Sequence, residues 1–250
     1  EFDVAGLLVG NGCISHSIQD GSLAAWAAEE GIFDEQSGGV TDGTARSRLE
    51  DELGYRPNPY DYRRVDIDCC GCYGYDYKKK SDWLLRDDVR AALGICGDAG
   101  RDAFGGCAGG CVSYYGFHDD EAEIDFPGFI GDALDRGIHV TLYFGRQDTV
   151  CNWVGGLKLA REAIPWSGRD LFNASPERPL TSTEGGSTIQ SAQVGTSGEL
   201  AFIKIPGAGH MVPADSPAAA LAALDTIVDK IRNRTSAAAA PSVVVSCNNK

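Results

Sequence analysis

Two β-branched and aromatic runs in the second half of the chain each empty into a glycine-rich turn, one bearing an Asp and the other a His. Ile138-His139-Val140-Thr141-Leu142-Tyr143-Phe144 leads into Gly145-Arg146-Gln147-Asp148-Thr149-Val150-Cys151-Asn152-Trp153, and Leu200–Ile205 leads into Gly207-Ala208-Gly209-His210-Met211-Val212-Pro213. If the runs are parallel strands of one sheet, both turns open at the same sheet edge, where open α/β sheets place ligands. A carboxylate that holds an imidazole in one tautomer, and an imidazole that takes a proton from a hydroxyl, are two members of a nucleophilic triad. The third member precedes them in the chain order Ser, Asp, His. No Gly-x-Ser-x-Gly occurs in the 250 residues. The chain therefore reads as carrying a base, His210, and its orienter, Asp148, without the nucleophile.

Taken singly, an Asp in a turn after a strand is most often an Asx-turn or a helix cap, and a His after a Gly is a surface or satisfied core residue. The rest of the chain gives the pair its setting. Val4–Val9 is a short apolar run ended by Gly10-Asn11-Gly12, a strand leaving the core through a tight turn. Residues 13–115 lack buried β-runs and suit an insertion, with helical stretches near Leu23–Glu30 and from Asp87 to Leu93. A helix around Phe129, Ile130, Ala133 and Leu134 ends at Arg136-Gly137, and another from Gly156 to Ile164 is stopped by Pro165. Ile189–Val194 and Leu200–Ile205 flank Gly195-Thr196-Ser197-Gly198 as a hairpin. The final helix has Ser216 as N-cap, Pro217 at its first position, and Leu221, Leu224, Val228 and Ile231 as its apolar face. This is α/β organisation. Residues 1–12 are read as a core strand, 13–115 as an insertion, 116–235 as the resumed core and 236–250 as a flexible tail.

Composition narrows the partners. With 36 acidic and 22 basic residues the formal charge is −14, which repels nucleic acid and anionic membrane, so neither is an expected partner. No apolar run reaches the roughly 18 residues a membrane helix needs. Nine cysteines are many for a reduced compartment. Cys69, Cys70, Cys72, Cys96, Cys107 and Cys111 cluster, while Cys13, Cys151 and Cys247 stand apart. Disulfides are favoured over a zinc site built from Cys70, Cys72, Cys107 and Cys111, because the spacing matches no common zinc pattern. No metal or cofactor is expected. Two sequons, at Asn173 and Asn233, mark candidate glycosylation sites, and the setting is read as secreted, vacuolar or lysosomal. The chain opens without Met or a signal peptide, and is read as a fragment or a processed product.

The words around the two residues resemble the serine carboxypeptidases, exopeptidases of the α/β-hydrolase fold. Gly207–Pro213, with Asp215 and Pro217 beyond, is similar to their histidine motif, and Asp148-Thr149-Val150-Cys151-Asn152-Trp153 to their aspartate motif. Ile164-Pro165-Trp166-Ser167-Gly168, Leu8-Val9-Gly10-Asn11-Gly12 and Leu84–Leu93 also fit. The resemblance implies the C-terminal part of the central sheet with a disulfide-rich cap, making 13–115 a cap insertion and 116–235 the C-terminal part of the core. It implies Asp148 as orienter, His210 as general base and then acid, and Met211 lining the pocket for the departing residue. Cys151 would be a free thiol beside the pocket for the residue before it. The substrate would be a peptide with a free C-terminus, and the nucleophilic Ser would come from the N-terminal part of the same protein, which is the implied partner. The same scaffold also serves acyltransferases and hydroxynitrile lyases, and a catalytically dead binding fragment is the non-enzymatic alternative.

Overall fold

The computed structural model describes residues 4–33, 42–65, 82–94, 126–180 and 185–237. Seven strands fall in two sheets: β1 (Gly6–Gly10), β4 (His139–Gly145), β5 (Arg178–Pro179), β6 (Thr188–Gln193) and β7 (Glu199–Ile205) in the larger, and β2 (Pro57–Asn58) with β3 (Asp61–Val65) in the smaller. The helices used below are α1 (His16–Gln19), α2 (Leu23–Glu29), α3 (Asp42–Leu53), α4 (Asp87–Ala92), α5 (Phe126–Asp135), α6 (Trp153–Lys158), α7 (Arg169–Ala174), α8 (Val212–Asp215) and α9 (Pro217–Ala237).

The larger sheet has the order β1-β4-β7-β6-β5. β1, β4 and β7 are parallel, with Gly10 opposite Tyr143 and Gly145 opposite Ile205. Their carboxyl ends therefore lie at one edge. β6 and β7 form the expected antiparallel hairpin, in register from Thr188↔Lys204 to Gln193↔Glu199. The period of two along β7 divides the core. Leu200 and Phe202 join Leu142, Phe144, Trp26 and Leu134 on one face, whereas Ala201, Ile203 and Ile205 join Leu180, Ile189 and α9 on the other. Phe144 and Phe202 stack with centroids 5.1 Å apart. A sheet covered on both faces accounts for the near-continuous apolar runs of β4 and β7.

Two local expectations are corrected and one is refined. α9 faces the sheet with Ala219, Ala222, Ala223 and Ile227, while Leu221 and Leu224 are exposed. Small side chains win the inner face because the helix lies close: a Cβ on Gly6 of β1 would press on Ile227 and Ile231. The helical stretch ended by Pro165 is present, α6 continuing as a π-helical turn over Leu159–Ala163. Residues 13–115, expected to lack sheet, contain the β2–β3 hairpin, whose two short strands carry too little apolar pattern to be read from sequence.

The cysteines clustered at 69–72, 96, 107 and 111, and Cys247, lie outside the described residues, as does the tail from 238. Asn173 is in α7, and its amide donates to the Arg161 carbonyl. Asn233 is in the last turns of α9. Among the described residues no helix is long and apolar enough to cross a membrane.

Candidate active site

The site assembles just past the carboxyl ends of β1, β4 and β7. After Gly145 the chain turns, and Asp148 follows with no exposed surface. Asn152 caps α6 by accepting the Gly155 N–H at 3.0 Å, so the residues between Gly145 and Asn152 are held at both ends. After β7, Gly207 adopts a left-handed φ of +78°, a turn that costs a side-chain-bearing residue steric strain. The two loops are tied together by backbone bonds, Arg146 N–H to the Ile205 carbonyl and Gln147 N–H to the Ala208 carbonyl, both 3.0 Å. A Cβ on Gly145 would collide with the carbonyls of Ala208 and Gly209.

In this frame His210 Nδ1 lies 2.8 Å from Asp148 Oδ2. An ionised carboxylate only accepts, so the contact sets Nδ1 as the protonated nitrogen of a neutral imidazole and leaves Nε2 as the basic one. Asp148 has further donors. Oδ1 accepts from Val150 N–H at 2.9 Å, and Oδ2 from Cys151 N–H at 3.3 Å and from Asn11 Nδ2 at 2.7 Å. These donors satisfy the lone pairs of a carboxyl group removed from water.

The β2–β3 hairpin is clamped across both loops. The Pro59 carbonyl accepts from Thr149 N–H and its hydroxyl, and Tyr62 N–H donates to the Gln147 carbonyl at 3.1 Å. The Tyr60 carbonyl accepts from His210 N–H at 2.7 Å, and the Tyr60 ring lies 4.3 Å from the imidazole, centroid to centroid. Charges reinforce the clamp. Arg63 makes two bonds to buried Asp61 and a third to the Gly207 carbonyl, while Arg64 pairs with Asp215, whose Oδ2 accepts from Gly209 N–H. The bonds to Asp61 hold the Arg63 guanidinium above its ordinary pKa. On the other side, Glu30 accepts from Arg146 Nε and Trp153 Nε1, and Trp26 Nε1 donates to the Arg146 carbonyl.

Asp148 and His210 are thus brought together, and Met211 is half-buried next to the imidazole-bearing residue. Cys151 is corrected. It is bonded to Cys13, with 5.4 Å between their Cα atoms, and is no free thiol. The neighbouring strands β1 and β4 bring the two loops side by side across 138 residues, a proximity that sequence spacing does not reveal. Asp148, Cys151 and His210 have potential ligand atoms within 4.8 Å of one another, but a sulfur in a disulfide is not the thiolate a metal binds, so these three do not make a ligand set. Sequence reasoning placed Asn11 in a turn and gave the 57–65 hairpin no part in the site. The signal for the first was an Asn between two glycines at a strand end.

A mixed α/β sheet with an Asp and a His beyond the ends of two parallel strands defines the C-terminal part of an α/β-hydrolase fold. Residues 40–230 match the family model described as serine carboxypeptidase. A serine carboxypeptidase-like protein of Pisum sativum is 34% identical over 170 residues, covering 66% of this chain and 52% of its own length. Serine carboxypeptidase-like 48 of Arabidopsis thaliana is 28% identical over 256 residues, covering 88% of this chain and 46% of that protein. The crystal structure of Kex1(delta)p, a prohormone-processing carboxypeptidase from Saccharomyces cerevisiae, superposes with a TM-score of 0.58 at 17% identity, covering 90% of this chain and 54% of that one. The chain belongs to the serine carboxypeptidase family. It spans about half the length of these relatives.

Proposed function

We propose that this chain supplies the base and its orienter to a serine carboxypeptidase that releases C-terminal amino acids through an acyl-enzyme. The observation that carries the reading is the 2.8 Å contact between His210 Nδ1 and a fully buried Asp148. His210 Nε2 takes the proton of a serine hydroxyl as it attacks the peptide carbonyl, then gives it to the departing amine. Water, activated by the same nitrogen, releases the acyl group. Asp148 keeps the tautomer and balances the imidazolium.

The serine belongs to the N-terminal part of the protein, and the sheet is suited to receive it. Among the described strands β1 has β4 as its one neighbour, so its other edge could receive further strands. Leu7 on β1, and Leu221 and Leu224 on α9, which packs against β1, are exposed apolar side chains. Met211 would line the pocket for the departing residue. The Cys13–Cys151 bond suits an oxidising secretory or vacuolar setting, in which the sequons at Asn173 and Asn233 would be candidate glycosylation sites.

The test is turnover of a blocked dipeptide by the complete enzyme carrying Asp148→Asn, His210→Ala or both. Asp148→Asn should cost about 10⁴-fold, the magnitude known for a triad Asp in another serine protease. The double variant should be scarcely worse than His210→Ala, since the two act in one step. Near-normal turnover by either folded single variant contradicts the assignment at that position.

A further inference from the structure

We propose that Asn11 is a positioning residue for the Asp148–His210 pair, acting through its side-chain amide on the carboxylate oxygen that faces the imidazole. The inference rests on the proposed roles of that pair but concerns a different residue, 137 positions from Asp148. Asn11 is 3% exposed, and its amide is held at both ends. Oδ1 accepts from Gly145 N–H at 3.2 Å, and Nδ2 donates to Asp148 Oδ2 at 2.7 Å. A flipped amide would put oxygen against the carboxylate and NH₂ against an N–H, so the orientation is fixed by its neighbours. The backbone is equally constrained: Asn11 N–H donates to the Tyr143 carbonyl at 2.8 Å, and φ is +42°.

That φ lies in the left-handed region, where Gly, Asn and Asp are the residues tolerated. The turn alone would be served by glycine, as at Gly10 and Gly12 on either side. What Asn adds is a neutral donor aimed at Asp148. Oδ2 accepts from Asn11 and from His210 at once, at 2.7 and 2.8 Å. One bond therefore sets the rotation of the carboxylate that the other needs. With the Asn11 bond gone, Oδ2 keeps only the long 3.3 Å bond from Cys151 N–H beside His210, and the carboxylate can pivot about its Oδ1 bond to Val150 N–H, so the imidazole loses a firmly held partner. Asp at position 11 would keep the turn but set two carboxylates against each other.

The proposal is tested with Asn11→Gly and Asn11→Asp, both compatible with the positive φ. The first readout is ¹H–¹⁵N NMR of the 250-residue chain, following the His210 Nδ1–H resonance, assigned by its loss in His210→Gln. The native chain should show Nδ1 protonated and protected from exchange, and both variants should lose that protection while retaining a cooperative melting transition. The second readout is the complete enzyme. Its kcat should fall about 10- to 100-fold, the size seen when hydrogen-bond partners that orient the ligands of a metal site are removed, with KM little changed. An unaltered Nδ1–H resonance in both folded variants overturns the proposal, as does an activity loss that appears in KM alone. If the resonance responds as expected while His210→Ala leaves turnover intact, Asn11 orients the pair and it is the peptidase reading that fails.

Discussion

Asp148 and His210 were legible in the sequence because each follows a strand-like run directly, in a turn whose glycines announce it. Cys151 was misread because its partner is fixed by strand order and not by chain spacing. Joining Cys13 to Cys151 closes a long loop, and such a bond typically stabilises by about 2–4 kcal/mol. Replacing both by Ser should lower the melting temperature of the chain, as read by a thermal melt. Alkylation of the unreduced native protein, followed by peptide mapping, should leave both residues unmodified until a dithiol is added. A free, mercurial-reactive Cys151 in that experiment would contradict the structure. Tyr60, whose ring covers the imidazole, carried no sequence signal, since what makes it part of the site is a contact across 150 positions.

Between elements, the fold depends on close approaches that demand glycine. Gly156 of α6 rests on the ring of Phe144, and a Cβ there would overlap it. Phe144 is itself fully buried against Phe202 and has little room to yield. Gly156→Ala should destabilise by about 1–3 kcal/mol, the cost of overpacking, measured by urea denaturation; a neutral effect would mean that α6 sits further from the sheet. The edge of the sheet has a pH-sensitive tie. Burial works to raise the Glu177 carboxyl, but bonds from Lys204 and Thr188 outweigh it and hold its pKa below the ordinary 4.5. A carboxyl lowered by folding adds stability above its unfolded pKa and loses it as pH falls through the folded value. Glu177→Gln should therefore cost stability at pH 7, with the difference from native shrinking as the pH drops below about 4.5. A gap that stays constant with pH would rule out the ion pair as its source. β1, β4, the β6–β7 hairpin, α2, α4, α5, α9 and the helix ended by Pro165 were readable from period and punctuation, whereas β5, α1, α3, α7 and α8 were not. The 57–65 hairpin was not, because its order comes from the loops it clamps and not from an apolar pattern of its own.

For the molecule as a whole, the parallel strands β1, β4 and β7 bring three loops to one edge, and the hairpin and the Asn11 turn lock them there. The α/β class followed from the order of elements, and the family from the motif words. The burial of Asp148 and the ties among its neighbours required the packed chain. On the proposed reading, acceleration needs a serine nucleophile as well, since loss of a triad member leaves little more than binding and oxyanion stabilisation. The direct measurement is peptidase turnover of the purified 250-residue chain, alone and combined with the proposed serine-bearing N-terminal part, with and without a serine-directed phosphonate. The chain alone should be inactive, and the combination should release C-terminal amino acids in a phosphonate-sensitive reaction that His210→Ala abolishes. Phosphonate-sensitive peptidase activity from the chain alone, or undiminished activity of the combination with His210→Ala, would contradict the account.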